Sequence, residues 1–244
     1  MLQNDERIDQ LYADDIQIIQ SKEVFSFSMD AVLLANFPNL PKRGLIVDLC
    51  AGNGAVGLFA SRKTQAQIKQ IELQPRLADM GIRSIQLNKL EEQMEMIPLD
   101  LKEAASVIKP DSVDLILCNP PYFKEQPSSK KNPNPYLAIA RHEIHTSLKE
   151  VVDVSAKLLK TNGRLALVHR PDRFLDIINA MQEAGIAPKR VQFIYPKPDR
   201  EANIVLVEGI LRGKQDGFRV LPPFFIQDEY GEYQAEMAAM LYGK

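Results

Sequence analysis

Residues 45–58, "LIVDLCAGNGAVGL", are the most informative part of the chain, because within them a buried strand passes through a glycine-rich turn into a helix. Residues 45–50 form a short apolar run, which is typical of a strand buried on both faces. Gly52 and Gly54 follow, and glycine lets the backbone turn tightly and approach a bound molecule closely. A strand, a tight turn and a helix in this order indicate the first unit of an α/β domain.

Apolar runs and amphipathic segments alternate along the rest of the chain. The predicted strands after the first are residues 67–73, 94–100, 112–119, 163–169, 190–196 and 202–211. One helix is predicted from Ser147, where Glu150 completes a capping box, with Gly163 following its end, and another over residues 172–185. These elements predict an α/β fold with a Rossmann-like, doubly wound, mostly parallel seven-stranded sheet.

The same pattern predicts how the chain is organised into domains. Residues 45–212 form one α/β domain, and the preceding residues 1–44 are an extension that contributes to the cofactor and substrate site. The extension holds one helical stretch, residues 28–38. The tail, residues 213–244, is expected to pack on the same domain. Residues 123–146 are long, polar and rich in Pro and Lys, and long loops inside domains are often functional.

Composition and charge exclude several classes of protein. The formal net charge is −2, so a nucleic-acid partner needs a local basic patch rather than a global field. Two cysteines, Cys50 and Cys118, are too few for a secreted fold stabilised by disulfides or for a zinc site with four cysteine ligands. We expect both to be buried core residues. The charged N-terminus and the absence of a long apolar run predict a cytoplasmic protein with no membrane partner. We also expect no metal, and a monomer or a weak homodimer.

The glycine turn permits two kinds of nucleotide ligand. Gly52, Gly54 and Gly57 have the G-x-G-x-x-G spacing of a dinucleotide site. Asp48, however, lies four residues before the first glycine, and a carboxylate aimed into the turn repels a pyrophosphate. It suits a ligand with positive charge, such as the amino group and sulfonium of S-adenosyl-L-methionine. A dehydrogenase that binds NAD stays the alternative.

Two more acids end the second and third predicted strands. Glu72 is placed to accept hydrogen bonds from ribose hydroxyls, and Asp100 is placed to accept one from an adenine amine. Each acid alone is equally typical of a helix cap or a loop carboxylate. Three acids at the ends of three successive strands, beside a glycine-rich turn, favour the cofactor site.

The fourth strand ends in Asn119, Pro120, Pro121 and Tyr122, an unusual way to turn a chain. The Asn119 side-chain oxygen and the Pro120 carbonyl are acceptors held in fixed directions by the two prolines. Two acceptors on one –NH2 group orient its nitrogen for attack on a methyl group, and Tyr122 offers a flat face for stacking. An ordinary N-P turn is the alternative.

Together these segments resemble class I S-adenosylmethionine-dependent methyltransferases that act on planar amino groups. More closely, the chain resembles the bacterial tRNA1(Val) adenine-N6 methyltransferase family over about residues 10 to 215. The segments that carry the closer resemblance are Phe25-Ser26-Phe27-Ser28-Met29-Asp30, Ala31-Val32-Leu33-Leu34, Ala140-Arg141-His142-Glu143 and the late "EANIVLVEG". The chain departs from the family at Ser28, where Gly is usual, and at Cys50 and Asn53 in the glycine turn.

The resemblance implies a set of site residues. The implied cofactor-binding residues are Phe27, Ser28, Asp30, Asp48, Ala51, Gly52, Asn53, Gly54, Glu72, Leu73, Asp100, Leu101 and Asn119, and the implied catalytic residues are Asn119, Pro120 and Tyr122. The implied substrate is an adenine in RNA, namely tRNA. The candidate substrate contacts are Pro121, Tyr122, Lys124, Lys130, Lys131 and Arg141. His142 and His145 lack a third partner for a metal and are interpreted as surface or substrate-loop residues.

Other functions stay open at this point. The same four-residue turn serves enzymes that methylate a glutamine amide in release factors, although those carry a separate helical domain before the glycine turn. Ribosomal-RNA guanine-N2 enzymes use a similar turn but usually duplicate the domain. A module that binds a nucleoside or RNA without catalysis is a third hypothesis, and the intact turn from Asn119 to Tyr122 argues against it.

Overall fold

The protein is described by a computed structural model, which covers residues 2–11, 16–24, 27–122 and 146–243. Within these ranges the strands are β1 (Glu6–Leu11), β2 (Ile16–Ser21), β3 (Leu45–Leu49), β4 (Gln67–Glu72), β5 (Met94–Pro98), β6 (Val113–Cys118), β7 (Leu159–His169), β8 (Ile186–Tyr195), β9 (Ile204–Leu211), β10 (Arg219–Val220) and β11 (Phe224–Phe225). The α-helices are α1 (Met29–Asn36), α2 (Ala55–Ser61), α3 (Pro75–Leu87), α4 (Leu148–Leu158), α5 (Phe174–Glu183) and α6 (Ala235–Tyr242).

The large sheet has the order β10-β8-β9-β7-β6-β3-β4-β5, and β11 also pairs with β8. Strands β5, β4, β3, β6 and β7 run parallel, whereas β9 lies antiparallel between β7 and β8. The doubly wound, mostly parallel fold is therefore confirmed. The described sheet has nine strands rather than seven, because β10 and β11 add two residues each. Pro222 and Pro223 lie between them and cannot donate to a ladder, which keeps both strands short.

Both faces of the sheet are covered, and the side chains of β6 alternate between two hydrophobic cores. Leu115 and Leu117 belong to the core on one face, with α1 and α2. Ile116 and Cys118 belong to the core on the other face, with α4 and α5. Because both faces of β6 are buried, its sequence is a nearly continuous apolar run.

The predicted helix from Ser147 begins as expected but ends earlier. The capping box is confirmed: Ser147 Oγ accepts from Glu150 N at 3.3 Å, and Glu150 Oε2 accepts from Ser147 N at 2.7 Å. The predicted end just before Gly163 is wrong, since α4 stops at Leu158 and β7 starts at the next residue. Residues 160–163 form a bulge where the β6–β7 register shifts, and apolar Leu159 fits either element.

The prediction that the first forty residues hold only a helix is also wrong. β1 and β2 form an antiparallel hairpin, which packs on α3. Asn88 accepts from Gln17 N at 2.9 Å and donates to Gln17 O at 2.6 Å, and Ser84 Oγ accepts from Ile19 N at 3.0 Å. These side chains form hydrogen bonds with backbone groups on the free edge of β2. The strand is therefore stable although its sequence does not alternate strictly between polar and apolar residues. No helix among the described residues is long and apolar enough to cross a lipid bilayer.

Candidate active site

A cavity of about 380 Å³ opens at the carboxyl ends of β3, β4, β5 and β6. This is the edge of an open parallel sheet where ligands bind. The lining is mainly apolar, with contributions from Ile71, Leu73, Leu77, Leu99, Leu101 and Val56. A volume of this size is in the range of a site that encloses a small organic ligand.

The glycine turn forms one side of the cavity and is tied to the neighbouring strand. Gly52 N donates to Glu72 Oε2 at 2.8 Å, and Ala51 N donates to Ile71 O at 3.0 Å. Gly52 and Gly54 have φ angles of +58° and +89°, which glycine adopts without strain. Glu72 also accepts from Gln74 N at 2.7 Å, and burial raises the pKa of its carboxyl group. Its oxygens keep further lone pairs for hydroxyl groups of a ligand.

Asp48 lies behind the turn rather than in the cavity lining. It is fully buried, and Gln70 Nε2 donates to its Oδ2 at 3.1 Å and to Gly54 O at 3.1 Å. Burial raises the pKa of Asp48 to about 7. Its other oxygen, Oδ1, has no hydrogen-bond partner within the described ranges. A β-carbon on Gly57 would come within 2.4 Å of Gln70 Nε2, so this third glycine is explained by packing and not by a pyrophosphate.

Asp100 follows β5 and also lies outside the lining. Its Oδ1 accepts from Lys102 N at 3.0 Å, which caps the 3-10 helix Leu101–Ser106. The next residue, Leu101, does line the cavity. Asp100 therefore caps this 3-10 helix and does not form part of the cavity wall.

The turn that follows β6 forms the opposite side of the cavity. Asn119, Pro120, Pro121 and Tyr122 all line it. The Tyr122 hydroxyl lies 2.6 Å from Asn119 Oδ1 and 2.6 Å from Asp30 Oδ2, on helix α1. Burial, and next the Asp30 carboxylate, raise the pKa of the Tyr122 phenol well above its ordinary value. The hydroxyl therefore keeps its proton in neutral solution.

His169, the last residue of β7, and Arg173, in the short 3-10 helix that follows, support Tyr122 from behind. Arg173 donates to the Tyr122 carbonyl oxygen at 3.3 Å, and the His169 ring lies 4.9 Å from the Tyr122 ring, centre to centre. Burial, and next the Arg173 charge, lower the pKa of His169 to about 3. The imidazole is therefore neutral, and its Nδ1 accepts from Arg170 N at 2.8 Å.

The N-terminal segment forms another wall of the cavity. Phe27 N donates to Gln20 Oε1 at 3.1 Å, and the Phe27 ring packs edge-on against Phe59 with centroids 6.0 Å apart. The Ser28 hydroxyl oxygen lines this wall, is buried, and lacks a partner in the part of the chain that the structure describes. A buried hydroxyl of this kind is suited to a polar group of a ligand.

The structure brings most of the predicted site residues together. Those that line the cavity are Phe27, Ser28, Asp30, Ala51, Gly52, Asn53, Glu72, Leu73, Leu101, Asn119, Pro120, Pro121 and Tyr122, whereas Asp48, Gly54 and Asp100 do not. Asn53 donates from its amide to Ile19 O at 3.0 Å, so it also anchors the hairpin. The predictions for Lys124, Lys130, Lys131, Arg141, His142 and His145 lie outside the described residues.

Sequence reasoning missed part of the lining. The missed residues are Ala31, Cys50, Ala55, Val56, Ile71, Gln74, Leu77, Leu99 and Thr146. Most of them are direct neighbours of predicted residues and carry no polar group that would single them out. Cys50 was expected in the core; it is half-buried, has a φ angle of +58° and borders the cavity. Cys118 is buried as expected, and burial raises the pKa of its thiol.

The fold, the glycine turn and the turn after β6 define a methyltransferase. The family model described as "Methyltransferase small domain" matches residues 15–185, and the chain belongs to this family. S-adenosyl-L-methionine is the cofactor that the sequence predicts for this cavity. The cavity fits this cofactor, since its volume, the buried Ser28 hydroxyl and the Glu72 carboxylate offer an apolar enclosure with a few fixed polar groups.

The chain is similar to several curated tRNA1(Val) (adenine(37)-N6)-methyltransferases. It is 32% identical to the protein of Shewanella amazonensis over 216 residues, which are 87% of this chain and 88% of that protein. It is 30% identical to the protein of Flavobacteriaceae bacterium (strain 3519-10) over 150 residues, or 61% of each chain. With the protein of Shewanella halifaxensis the match spans 56% of that protein's length, at 31% identity and 58% of this chain.

Solved structures share the fold at low sequence identity. A predicted O-methyltransferase from Agrobacterium tumefaciens superimposes with a TM-score of 0.69 at 18% identity, over 86% of this chain and 94% of that one. A precorrin-6y C5,15-methyltransferase from Geobacter metallireducens gives a TM-score of 0.54 at 13% identity, over 80% and 93%. At these identities the likeness concerns the fold alone.

Proposed function

We propose that the protein transfers a methyl group from S-adenosyl-L-methionine to the exocyclic N6 amine of an adenine in RNA, namely tRNA, in the cytoplasm. The observation that carries the proposal is the position of Asn119 and Tyr122, which line the same cavity as Gly52 and Glu72. The acceptor turn and the cofactor turn thus face one space. The names of the curated relatives support the choice of tRNA and of adenine.

The residues of the glycine turn and of the N-terminal wall would hold the cofactor. Glu72 has lone pairs for the ribose hydroxyls, and the Ser28 hydroxyl offers a further polar contact. The apolar side chains of Leu77, Leu99 and Leu101 would enclose the adenine ring. When bound, S-adenosyl-L-methionine would supply an electron-poor methyl carbon for the amine nitrogen, with S-adenosylhomocysteine as the leaving group.

Asn119 and Pro120 would orient the target amine. Both are acceptors at the cavity edge, and two hydrogen bonds from one –NH2 group fix the nitrogen lone pair toward the methyl carbon. The Tyr122 ring, held from behind by His169, would stack on the base with about 1–3 kcal/mol of binding free energy. The methylated amine is cationic and releases a proton to water, so no strong base is required.

An adenine inside a helix cannot reach such a cavity. It must be unstacked first, which favours a base in a loop of a structured RNA. A base also suits the flat Tyr122 face better than a flexible glutamine side chain does. These arguments favour RNA over a release factor as the substrate.

A direct assay tests the proposal. Purified protein is incubated with methyl-labelled S-adenosyl-L-methionine and either tRNA from cells that lack the gene or purified release factor. We expect label in the tRNA, recovered as N6-methyladenosine by mass spectrometry of the nucleosides. Label in the release factor alone, or binding of NAD without binding of S-adenosylhomocysteine, would overturn the proposal.

A pair of asparagine variants separates catalysis from folding. Asn119→Ala should reduce the turnover rate by about 100-fold or more, the scale of losing one preorganised polar contact to the reacting group. The affinity for S-adenosylhomocysteine should stay within about threefold, since Glu72 and the glycine turn are untouched. Asn203→Ala, an exposed residue between β8 and β9, is the matched control and should keep full activity.

A further inference from the structure

Asp30 meets the acceptor turn rather than only the cofactor side of the cavity. It lies in the first turn of α1, 92 residues before Tyr122, and its Oδ2 is 2.6 Å from the Tyr122 hydroxyl. The same hydroxyl lies 2.6 Å from Asn119 Oδ1. Three side chains from two distant parts of the chain therefore form one row of contacts, with the tyrosine in the middle.

One proton serves both of these contacts. A phenol has a single O–H, and here burial raises its pKa, so it stays a donor. A carboxylate is a stronger acceptor than a neutral amide oxygen because the hydrogen bond is charge-assisted. The proton of Tyr122 therefore points to Asp30. The phenol oxygen then turns its lone pairs toward Asn119.

Lone pairs on the phenol oxygen act on the orientation of the Asn119 amide. In the structure its Oδ1 faces the hydroxyl. Two oxygens without a proton between them repel each other, whereas the amide nitrogen can donate to a phenol oxygen. A half-turn of the amide exchanges its two ends, which have nearly the same size, and places Oδ1 toward the cavity. This is the orientation in which Asn119 can accept from an incoming amine.

We propose that Asp30 is a positioning residue for methyl transfer: it takes the hydroxyl proton of Tyr122 and thereby leaves the Asn119 oxygen free for the substrate amine. The inference rests on the proposed function and names the role of a further residue in it. Arg173 and His169 hold the Tyr122 backbone and ring independently of Asp30. Loss of Asp30 should therefore change hydrogen bonding at Asn119 without displacing the ring.

A double-mutant cycle tests this role. Asp30→Asn should lower kcat for tRNA by about 10-fold or more, because the phenol proton then turns to Asn119 Oδ1 and competes with the substrate amine. The KM for tRNA and the Kd for S-adenosylhomocysteine should change by less than about threefold. Tyr122→Phe keeps the ring and removes the link, so adding Asp30→Asn to it should cause no further loss. Asp153→Asn, a surface carboxylate paired with Lys149, is the matched control.

The outcomes separate this inference from the proposed function. If wild-type protein labels no tRNA adenine, the proposed function fails. Suppose that wild type is active but the losses in kcat caused by Asp30→Asn and Tyr122→Phe multiply in the double variant, or that Asp30→Asn weakens cofactor binding as strongly as it lowers kcat. In either case the role of Asp30 is refuted and the proposed function stands.

A measurement without substrate tests the contact of Tyr122 with Asp30 and Asn119 directly. In protein labelled with 15N at asparagine, the side-chain signal of Asn119 is identified by its absence from Asn119→Ala. We expect that signal to shift in Asp30→Asn and in Tyr122→Phe, and to stay in place in Asp153→Asn. An unchanged signal in Asp30→Asn contradicts the inference whatever the substrate is.

Discussion

Asp48 is a buried carboxyl group behind the glycine turn, and its replacement by asparagine should change how stability depends on pH. Burial raises its pKa in the folded protein from the ordinary value of 3.8 to about 7. The folded protein therefore keeps a proton on Asp48 up to about pH 7, whereas the unfolded chain releases it near pH 3.8. The folded state therefore binds this proton more tightly than the unfolded chain does. As a result, the contribution of Asp48 to the free energy of unfolding is lost as the pH rises from 3.8 to about 7.

The size of the effect follows from the difference in pKa. A difference of about 3 units corresponds to about 4 kcal/mol of unfolding free energy once the pH exceeds 7. At pH 5 the loss in unfolding free energy amounts to about 2 kcal/mol, because only the part of the window below that pH has been crossed. Asparagine has the same shape and no charge. The stability of Asp48→Asn relative to wild type should therefore increase by about 2–3 kcal/mol between pH 5 and pH 8.

Urea unfolding of both proteins, without cofactor, at pH 5, 6, 7 and 8 measures this difference. Carboxyl groups with a lowered pKa, such as Asp5 and Glu6, lose stability toward acid in both proteins, so their contribution cancels. A difference in free energy that stays constant from pH 5 to pH 8 would refute the reasoning, because Asp48 would then ionise alike in the folded and unfolded chains. A 13C titration of the Asp48 carboxyl carbon gives the same answer directly.

Three further substitutions test the packing around the site. Gly57→Ala should destabilise the protein by about 1–3 kcal/mol in urea unfolding, because the new methyl group meets Gln70 Nε2 at 2.4 Å; an unobstructed helical position would gain about 1 kcal/mol instead, so the sign decides. Asn88→Ala should cost about 1–3 kcal/mol and raise hydrogen exchange in β2 while β6 stays protected, since both of its hydrogen bonds to Gln17 are lost. Ser147→Ala should lower the free energy of unfolding by about 1 kcal/mol and leave methyl transfer unchanged. A loss of methyl-transfer activity would contradict a role confined to the helix cap.

The strands of the sheet could be predicted because their burial leaves a direct trace in the sequence. Residues 112–119 were predicted as a strand and β6 spans Val113–Cys118. Once the parallel order is known, the carboxyl ends meet at one edge, so Asn119 and Glu72 could be placed at a common site without coordinates. Neighbouring apolar residues such as Leu77 could not be singled out, since every buried helix offers similar side chains.

Other features depend on contacts between distant residues and could not be predicted. The hairpin exists because Asn88 and Ser84 on α3 complete the edge of β2, and nothing in the local pattern of residues 6–21 indicates this. The acids at strand ends show the same limit. Glu72 lines the cavity, whereas Asp100 turns to a nearby backbone amide, and only the local backbone decides between the two.

The acceptor turn also depends on a segment that lies far from it in sequence. A turn built only from Asn119 to Tyr122 has rigid prolines, but nothing within it directs the tyrosine hydroxyl or the asparagine amide. Helix α1 supplies Asp30 for the hydroxyl, and the end of β7 supplies His169 for the ring. Since Asp30 and Ala31 of α1 also line the cavity, a change that tilts this helix would disturb both sides of the proposed site. Substitutions in α1 that spare the core should therefore lower turnover as strongly as substitutions in the turn itself.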